Sequence, residues 1–270
     1  MSMVVSIIAW SAASLGALLA VRGFLRALPA QSIFGVGFAA YALALLPYAQ
    51  LGLFGGGRAL STLERTWGAT ASTVGGWAVL SLLLAIHWSH RTGRPSWTDP
   101  AMFKRLAALS VAAIVSIVTL HLTLEWPGQA PLPPSTDFLN DYGDRRNVVV
   151  YQLLFATWLG VPVGMLGVTT WKFRSGVARW VTSIGCGFGV FWAVWKICGI
   201  LVRFLTGDRI AIESPVSVTT GVITLVLVLA GLLIGMINGS IASIVAQRGY
   251  SAARRADDER QYDSDASSAA

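Results

Sequence analysis

The sequence predicts an all-α, polytopic membrane protein. Of its 270 residues, 54% are hydrophobic and only 12% are charged, and the mean hydropathy is +0.63. Several apolar runs reach the roughly 20 residues that a helix needs to cross about 30 Å of hydrocarbon. These runs are continuous and lack the alternating polarity of an outer-membrane β-barrel. The composition therefore excludes a soluble domain and favours a bundle of membrane-spanning helices.

Seven apolar segments are predicted to span the membrane. No basic residue precedes the first apolar run, so a retained helix is favoured over a cleaved signal peptide. The seventh segment is longer than a bilayer requires and is expected to tilt or to extend into water. The predicted spans are Met3 to Val21, Ser32 to Phe54, Ala71 to Ser89, Leu106 to Trp126, Val148 to Trp171, Ala178 to Phe204 and Val216 to about Val245. Together they form a predicted seven-helix transmembrane domain over residues 1–245.

The basic residues are distributed unevenly between the two sides of these spans. One side carries 13 Lys and Arg residues, the other carries six, and Lys196 alone falls within a span. Cytoplasmic loops of membrane proteins are enriched in Lys and Arg. The sequence therefore predicts a multi-pass protein of the inner (plasma) membrane with its N-terminus outside and its C-terminus in the cytoplasm. The six cations of the outer side are Arg58, Arg65, Arg145, Arg146, Arg203 and Arg209.

The composition changes after the seventh span. Residues 246–270 mix acidic and basic side chains and contain few apolar residues that a core could bury. Such a segment is typical of disorder. We expect a flexible, charged cytoplasmic tail.

The longest predicted outer loop, residues 127–147, begins with several prolines, which disfavour helix. Ser135 or Thr136 is then placed to cap a short helix through Phe138, Leu139 and Tyr142. The loop lacks the ligand order of an EF-hand.

Three carboxylates of this loop have helical spacing. On a helix, Asp137, Asp141 and Asp144 would lie along one side. One interpretation is a solvated acidic loop. The other is that these carboxylates face Lys196 and Arg203 across an outer vestibule.

The sixth predicted span carries two cations that need an explanation. On a helix, Trp192, Lys196, Gly199 and Arg203 share a face. A cation in hydrocarbon costs roughly 3 kcal/mol on insertion scales, so this face is expected to meet protein, water or headgroups. Lys196 either extends its ammonium to the membrane surface, or belongs to a buried ion pair or polar ligand site, or marks a misplaced helix boundary.

Glycines recur every four residues in three spans. Gly160 and Gly164, Gly185 and Gly189, and the series that starts at Gly231 follow this pattern. Small residues at this spacing allow two helix backbones to approach closely. The pattern predicts tight helix packing.

Patterns for enzyme chemistry are not found in the sequence. It contains no nucleophile elbow, metalloprotease motif, phosphate-binding loop or dinucleotide fingerprint. His87 and His121 are predicted about a membrane apart, so no metal site is expected. The seventh span has no lysine for a retinal Schiff base. We therefore expect no enzyme activity, no cofactor and no nucleic-acid partner.

The layout of seven spans, the segment TDFLNDYGDRRNVVVYQLLF and the basic turn WKFRSGVARW resemble a family of actinobacterial seven-helix transporters. Members of that family are commonly encoded beside helix-turn-helix or metallopeptidase-like regulators. Many look to carry a soluble C-terminal domain, where this chain has only residues 246–270. The resemblance implies a membrane transporter and a cytoplasmic regulatory partner.

Two classes of function remain open from the sequence. The first is a transporter or binder of a small polar or anionic solute that enters through the outer vestibule. In this hypothesis Lys196 and Arg203 attract the solute, Trp192 and Trp195 wall the site, and the three aspartates gate the cations or pair with them. The alternative is a membrane sensor or interaction protein, including an accessory or phage exclusion protein, that acts through a membrane-protein partner. The sequence does not predict an oligomeric state.

Overall fold

The protein is all-helical, as the sequence predicts. The computed structural model describes residues 2–49, 58–93, 96–124, 132–173, 176–210, 216–217 and 219–235. Within these residues the one isolated β-type pairing is an antiparallel bridge between Leu60 and Ser135. The predicted tail, residues 246–270, lies outside the described residues. The α-helices are α1 (Ser2–Leu25), α2 (Pro29–Ala49), α3 (Thr62–Thr92), α4 (Pro100–Leu124), α5 (Phe138–Tyr142), α6 (Arg146–Phe173), α7 (Gly176–Thr206) and α8 (Thr219–Gly235).

Each of the seven predicted spans overlaps one of these helices. In the described part of the chain, α3, α4, α6 and α7 are long and apolar enough to cross a membrane. The apolar stretches of α1 and α8, Ala9–Leu25 and Thr219–Gly235, are shorter. A protein with four such helices is embedded in a membrane.

Two helices begin earlier than their apolar runs. The α3 helix starts at Thr62 rather than Ala71, because Ser61 and Glu64 form a reciprocal capping box that satisfies backbone donors of the first turn. The α4 helix starts at Pro100 rather than Leu106, and the Asp99 carboxylate accepts a hydrogen bond from the Ala101 amide at 2.9 Å. Because both helix starts contain polar residues, hydropathy alone did not predict that these first turns are helical.

The α3 helix lies at the centre of the bundle. It packs against α2, α4 and α6, and 56% of its most apolar window is buried, compared with 11% in α4. With 31 residues, α3 is about 46 Å long and therefore exceeds the hydrocarbon thickness by about half.

Outward-facing surfaces of the bundle are apolar. On α4, Val111, Ile114 and Val115 are each at least 57% exposed, and on α7 Phe191 and Val194 are at least half exposed. Contiguous apolar surface of this kind is unusual for a soluble monomer. These faces are suited to contact with lipid chains.

Glycines allow close packing at the helix interfaces. A Cβ atom at Gly160 of α6 would lie 2.5 Å from the Ala193 Cβ of α7, and one at Gly185 of α7 would lie 2.8 Å from the Leu227 Cβ of α8. At both positions only glycine fits without a shift of the neighbouring helix. The predicted tight packing is confirmed at these two positions. Gly239 lies outside the described residues.

We expect Gly160→Ala to destabilise the protein by about 1 to 3 kcal/mol, because the added methyl overpacks the α6–α7 interface. Thermal unfolding of the purified protein in detergent measures the effect. Gly187→Ala is the matched control, since a Cβ at Gly187 of α7 meets no atom within 4 Å. Equal melting temperatures for the two variants would contradict the packing role of Gly160.

Candidate ligand-binding cavity

A cavity of about 210 Å³ runs between the helices of the bundle. Its wall is formed by α2, α3, α6, α7 and α8, together with Thr136 and Phe138 from the segment that precedes α6. That segment, residues 132–145, is called the cap segment below. The end of the bundle where it lies is called the cap end.

Polar lining residues lie toward the cap end. On α3, Arg65 and Ser72 precede Val79 and Leu82 along the wall. The same order holds on α6, where Gln152 precedes Leu159 and Leu166, and along the chain from Ser217 to Leu225 and Leu232 in α8. The cavity therefore has a polar half near the cap segment and an apolar half away from it.

Two buried cations line the polar half. Lys196 is 9% exposed and Arg65 is 6% exposed, and both contribute to the cavity wall. Among the described lining residues none is acidic. Lys196 is therefore buried within the bundle. Both cations also interact with the protein itself.

Four aromatic side chains form a continuous wall between the two cations. The Arg65 guanidinium carbon lies 4.4 Å from the Phe138 ring centroid, a cation–π distance. The rings then follow one another, with centroids 6.0 Å apart for Phe138 and Tyr151, 6.3 Å for Tyr151 and Phe155, and 5.7 Å for Phe155 and Trp192. Lys196 follows Trp192 by one helical turn. Arg65 and Lys196 therefore lie at the two ends of this aromatic wall.

The cap segment is folded onto the bundle. Besides the bridge between Leu60 and Ser135, the Thr62 hydroxyl donates to the Leu132 carbonyl at 3.2 Å, and the Arg65 guanidinium donates to the Ser135 carbonyl at 2.5 Å. Phe138 and Leu139 are 5% and 1% exposed. Residues 132–145 of the predicted outer loop are therefore packed over the start of α3.

Asn140 joins the cap segment to the chain that follows α7. Its side-chain amide donates to the Ile210 carbonyl at 2.8 Å, and its side-chain oxygen accepts from the Ile210 amide at 2.8 Å. Asn140 is only 4% exposed. We call this pair of hydrogen bonds the Asn140 clasp.

The three predicted carboxylates differ in their position relative to α5. Asp141 alone lies within α5, whereas Asp137 is the N-cap residue and Asp144 follows the helix end. Asp141 accepts from the Ser135 hydroxyl at 2.7 Å, and Asp137 accepts from the Asn140 amide at 2.7 Å. The predicted short helix is present, and it is too short to include all three carboxylates.

The predicted helix cap also differs. Asp137 occupies the N-cap position and makes no side-chain capping bond there. The Ser135 hydroxyl accepts from the Asp137 backbone amide at 2.9 Å. Ser135 therefore shapes the turn before α5 without capping the helix.

Arg203 and Trp195 lie apart from the described cavity wall. The half-buried Arg203 donates to the Gly207 carbonyl at the end of α7, and its side chain packs against Gly143 of the cap segment. The Trp195 ring stacks on Phe191, with centroids 6.2 Å apart. Of the residues predicted to form the site, Lys196 and Trp192 are the two that line the cavity.

Sequence reasoning missed Arg65, which it assigned to the outer flank. A signal was present in residues 61–64, Ser-Thr-Leu-Glu, which form a capping-box pattern. Starting α3 at this pattern places Arg65 and Ser72, seven residues apart, on one helix face.

The histidines are not gathered at one place. The His121 ring lies 3.3 Å from the Thr70 hydroxyl, and the His87 ring lies 2.9 Å from the Leu83 carbonyl. Over the described ranges, no group of three His, Cys, Asp or Glu side chains is placed to hold a metal ion.

Comparison of the chain with protein-family models, with curated proteins and with solved structures finds no match.

We expect Asn140→Leu to release the chain after α7, because it removes both hydrogen bonds of the clasp. Hydrogen–deuterium exchange should show faster exchange of the Ile210 amide, by about tenfold for a loss of about 1 to 1.5 kcal/mol. Asn140→Asp keeps an acceptor for that amide and serves as the matched variant with an intermediate rate. Unchanged exchange in Asn140→Leu would contradict the clasp.

Proposed function

We propose that this protein binds a small anionic molecule in the cavity between α2, α3, α6, α7 and α8. The observation that carries the proposal is the position of Lys196 and Arg65, two buried cations in the wall of a cavity with no acidic residue among its described lining residues. A buried cation is costly unless anionic or polar groups compensate its charge. An anion bound in this cavity would add favourable electrostatic interactions to those that both cations already make with the protein.

The size and lining of the cavity also favour a ligand. A dry cavity of about 150 Å³ is large enough to take up benzene, and this one is larger. Aromatic and aliphatic side chains with a few charged groups are typical of small-molecule sites. The aromatic wall from Phe138 to Trp192 offers flat apolar surface beside the two charges.

Binding is the step that transport and sensing have in common. The proposal is therefore a solute-binding membrane protein, and the transporter implied by the family resemblance is one way in which such a site is used. Arg203 and the aspartates of the cap segment lie at the cap end, where they would act on the access of the solute, and Trp195 lies beside Lys196 in the sequence of α7.

We further propose that all seven predicted segments cross the membrane, with the cap end outside. Support comes from the helices found at all seven positions and from the excess of 13 Lys and Arg residues over six on the opposite side. In this orientation Lys196 lies about 15 Å from the outer end of α7. A solute would reach the cations from the outside.

Reporter fusions test this orientation. Alkaline phosphatase fused after residue 245 should be inactive and a fluorescent protein at the same point should fluoresce, because that point is expected in the cytoplasm. Fusions within residues 92–99 should give the same pair of results. An active phosphatase at either point would contradict the seven-span arrangement.

Benzoate and benzyl alcohol form a matched pair of probes for the site. We expect the protein in lipid nanodiscs to bind benzoate about tenfold more tightly than benzyl alcohol, since hydrogen bonds to a charged group contribute about 1.5 to 3 kcal/mol. Lys196→Met should abolish this preference, because it removes the ammonium and keeps most of the side-chain volume. Equilibrium binding of the labelled compounds measures both affinities.

Arg209→Gln is the control for a general loss of positive charge, because Arg209 is an exposed cation at the cap end outside the described cavity wall. It should retain the preference for benzoate. A preference that survives in Lys196→Met and in Arg65→Gln, or that is absent from the wild type, would refute anion binding in this cavity. Melting temperatures of all variants establish that each one is folded.

A further inference from the structure

We infer that the ligand is a single-chain amphiphile, with an anionic head at Lys196 and Arg65 and an aliphatic tail in the apolar half of the cavity. This inference rests on the proposed anion site and adds the class of molecule that occupies it. It follows from the shape of the cavity and from the order of residues along its walls.

The lining of the cavity extends over several turns of its helices. Its lining on α3 extends from Arg65 to Leu82, which corresponds to about 25 Å along the helix axis. On α6 it extends from Tyr151 to Leu166, about 22 Å. A lining of this length, with charged residues toward one end, suits an elongated ligand with one anionic end.

Charge is confined to one end of this length. Beyond Ser72 on α3 the lining residues are Ala78, Val79 and Leu82, and beyond Gln152 on α6 they are apolar through Leu166. Hydrophilic solutes such as inorganic phosphate or acetate would occupy only the cap end and leave the remainder empty. An aliphatic tail would remove apolar surface from water along the whole wall, at about 25 cal/mol per Å².

The order of polar and apolar lining residues along the helices also determines the orientation of the amphiphile. Its head lies between α3 and α7 near the cap segment, where Thr136 and Gln152 add polar atoms to the wall. Its tail points away from the cap segment, between Leu166 of α6 and Leu229 of α8.

A series of saturated carboxylates from butanoate to decanoate tests this inference. We expect the affinity of the full-length protein in phosphatidylcholine nanodiscs to rise about fourfold for each added methylene. Empty nanodiscs correct for partition of the longer chains into lipid. An affinity that does not change from butanoate to decanoate would overturn the inference.

Filling the apolar half should shorten the preferred chain. Leu229→Trp places a larger ring in the wall and should lower decanoate affinity at least tenfold while butanoate affinity is retained. Leu233→Trp is the matched control on α8, because Leu233 is 49% exposed and does not line the described wall; it should bind decanoate like the wild type. Equal loss of decanoate binding in both variants would contradict the placement of the tail.

The source of the amphiphile is tested by adding phosphatidylglycerol to the nanodiscs. A free single-chain ligand predicts that labelled decanoate remains bound. Displacement of decanoate by phosphatidylglycerol would overturn the single-chain inference in favour of a two-chain membrane lipid.

Failure of this inference can be separated from failure of the anion site. If benzoate is still preferred to benzyl alcohol while the chain-length series is flat, the amphiphile is refuted and the anion site stands. If neither preference is found, both are refuted.

Discussion

The burial of two cations among apolar helices is the constraint on which the rest of the structure depends. Transfer of a charged group out of water costs several kcal/mol even after relaxation, so Lys196 and Arg65 need surroundings that hold and partly compensate them. Arg65 is held by the Ser135 carbonyl and the Phe138 ring. Both partners belong to the cap segment, and this segment can reach Arg65 only because α3 begins at Thr62. The capping box, the packed cap segment and the polar half of the cavity are therefore parts of one arrangement.

The helices pack closely elsewhere in the bundle, in contrast to the region of the cavity. Glycines bring α6 to α7 and α7 to α8 without space for a single methyl group, and cores of membrane proteins depend on such contacts because lipid offers no hydrophobic gain between helices. A cavity of about 210 Å³ in the same bundle departs from this close packing, and its lining atoms would make dispersion contacts with a bound molecule. Occupation by a ligand would supply those contacts, with an anionic head for the two cations and an apolar tail for the remaining wall.

Hydropathy was sufficient to place helices at all seven predicted segments, because long apolar runs have few alternatives to helix in a membrane. Helical spacing also placed Trp192 and Lys196 on one face, and that face is buried. The position of Arg65 in the cavity wall was not predictable from hydropathy, since hydropathy does not distinguish a buried cation beside an apolar run from a charged residue in a loop. The contributions of α2 and α8 to the wall arise from packing between distant segments, which no local pattern encodes. Participation of Arg203, Trp195 and the three aspartates in binding stays a prediction, as do the number of spans and their orientation.

The Asn140 clasp has a kinetic consequence. It ties the cap segment, which contributes Thr136 and Phe138 to the cavity wall, to the chain that leaves α7 for as long as both hydrogen bonds to Ile210 persist. With a combined value of about 1 to 1.5 kcal/mol, the two bonds would keep a detached cap segment about tenfold less populated than it would be without them. The exchange rate of a molecule in the cavity would then depend on how often this part of the wall detaches, as well as on the charges that the molecule contacts.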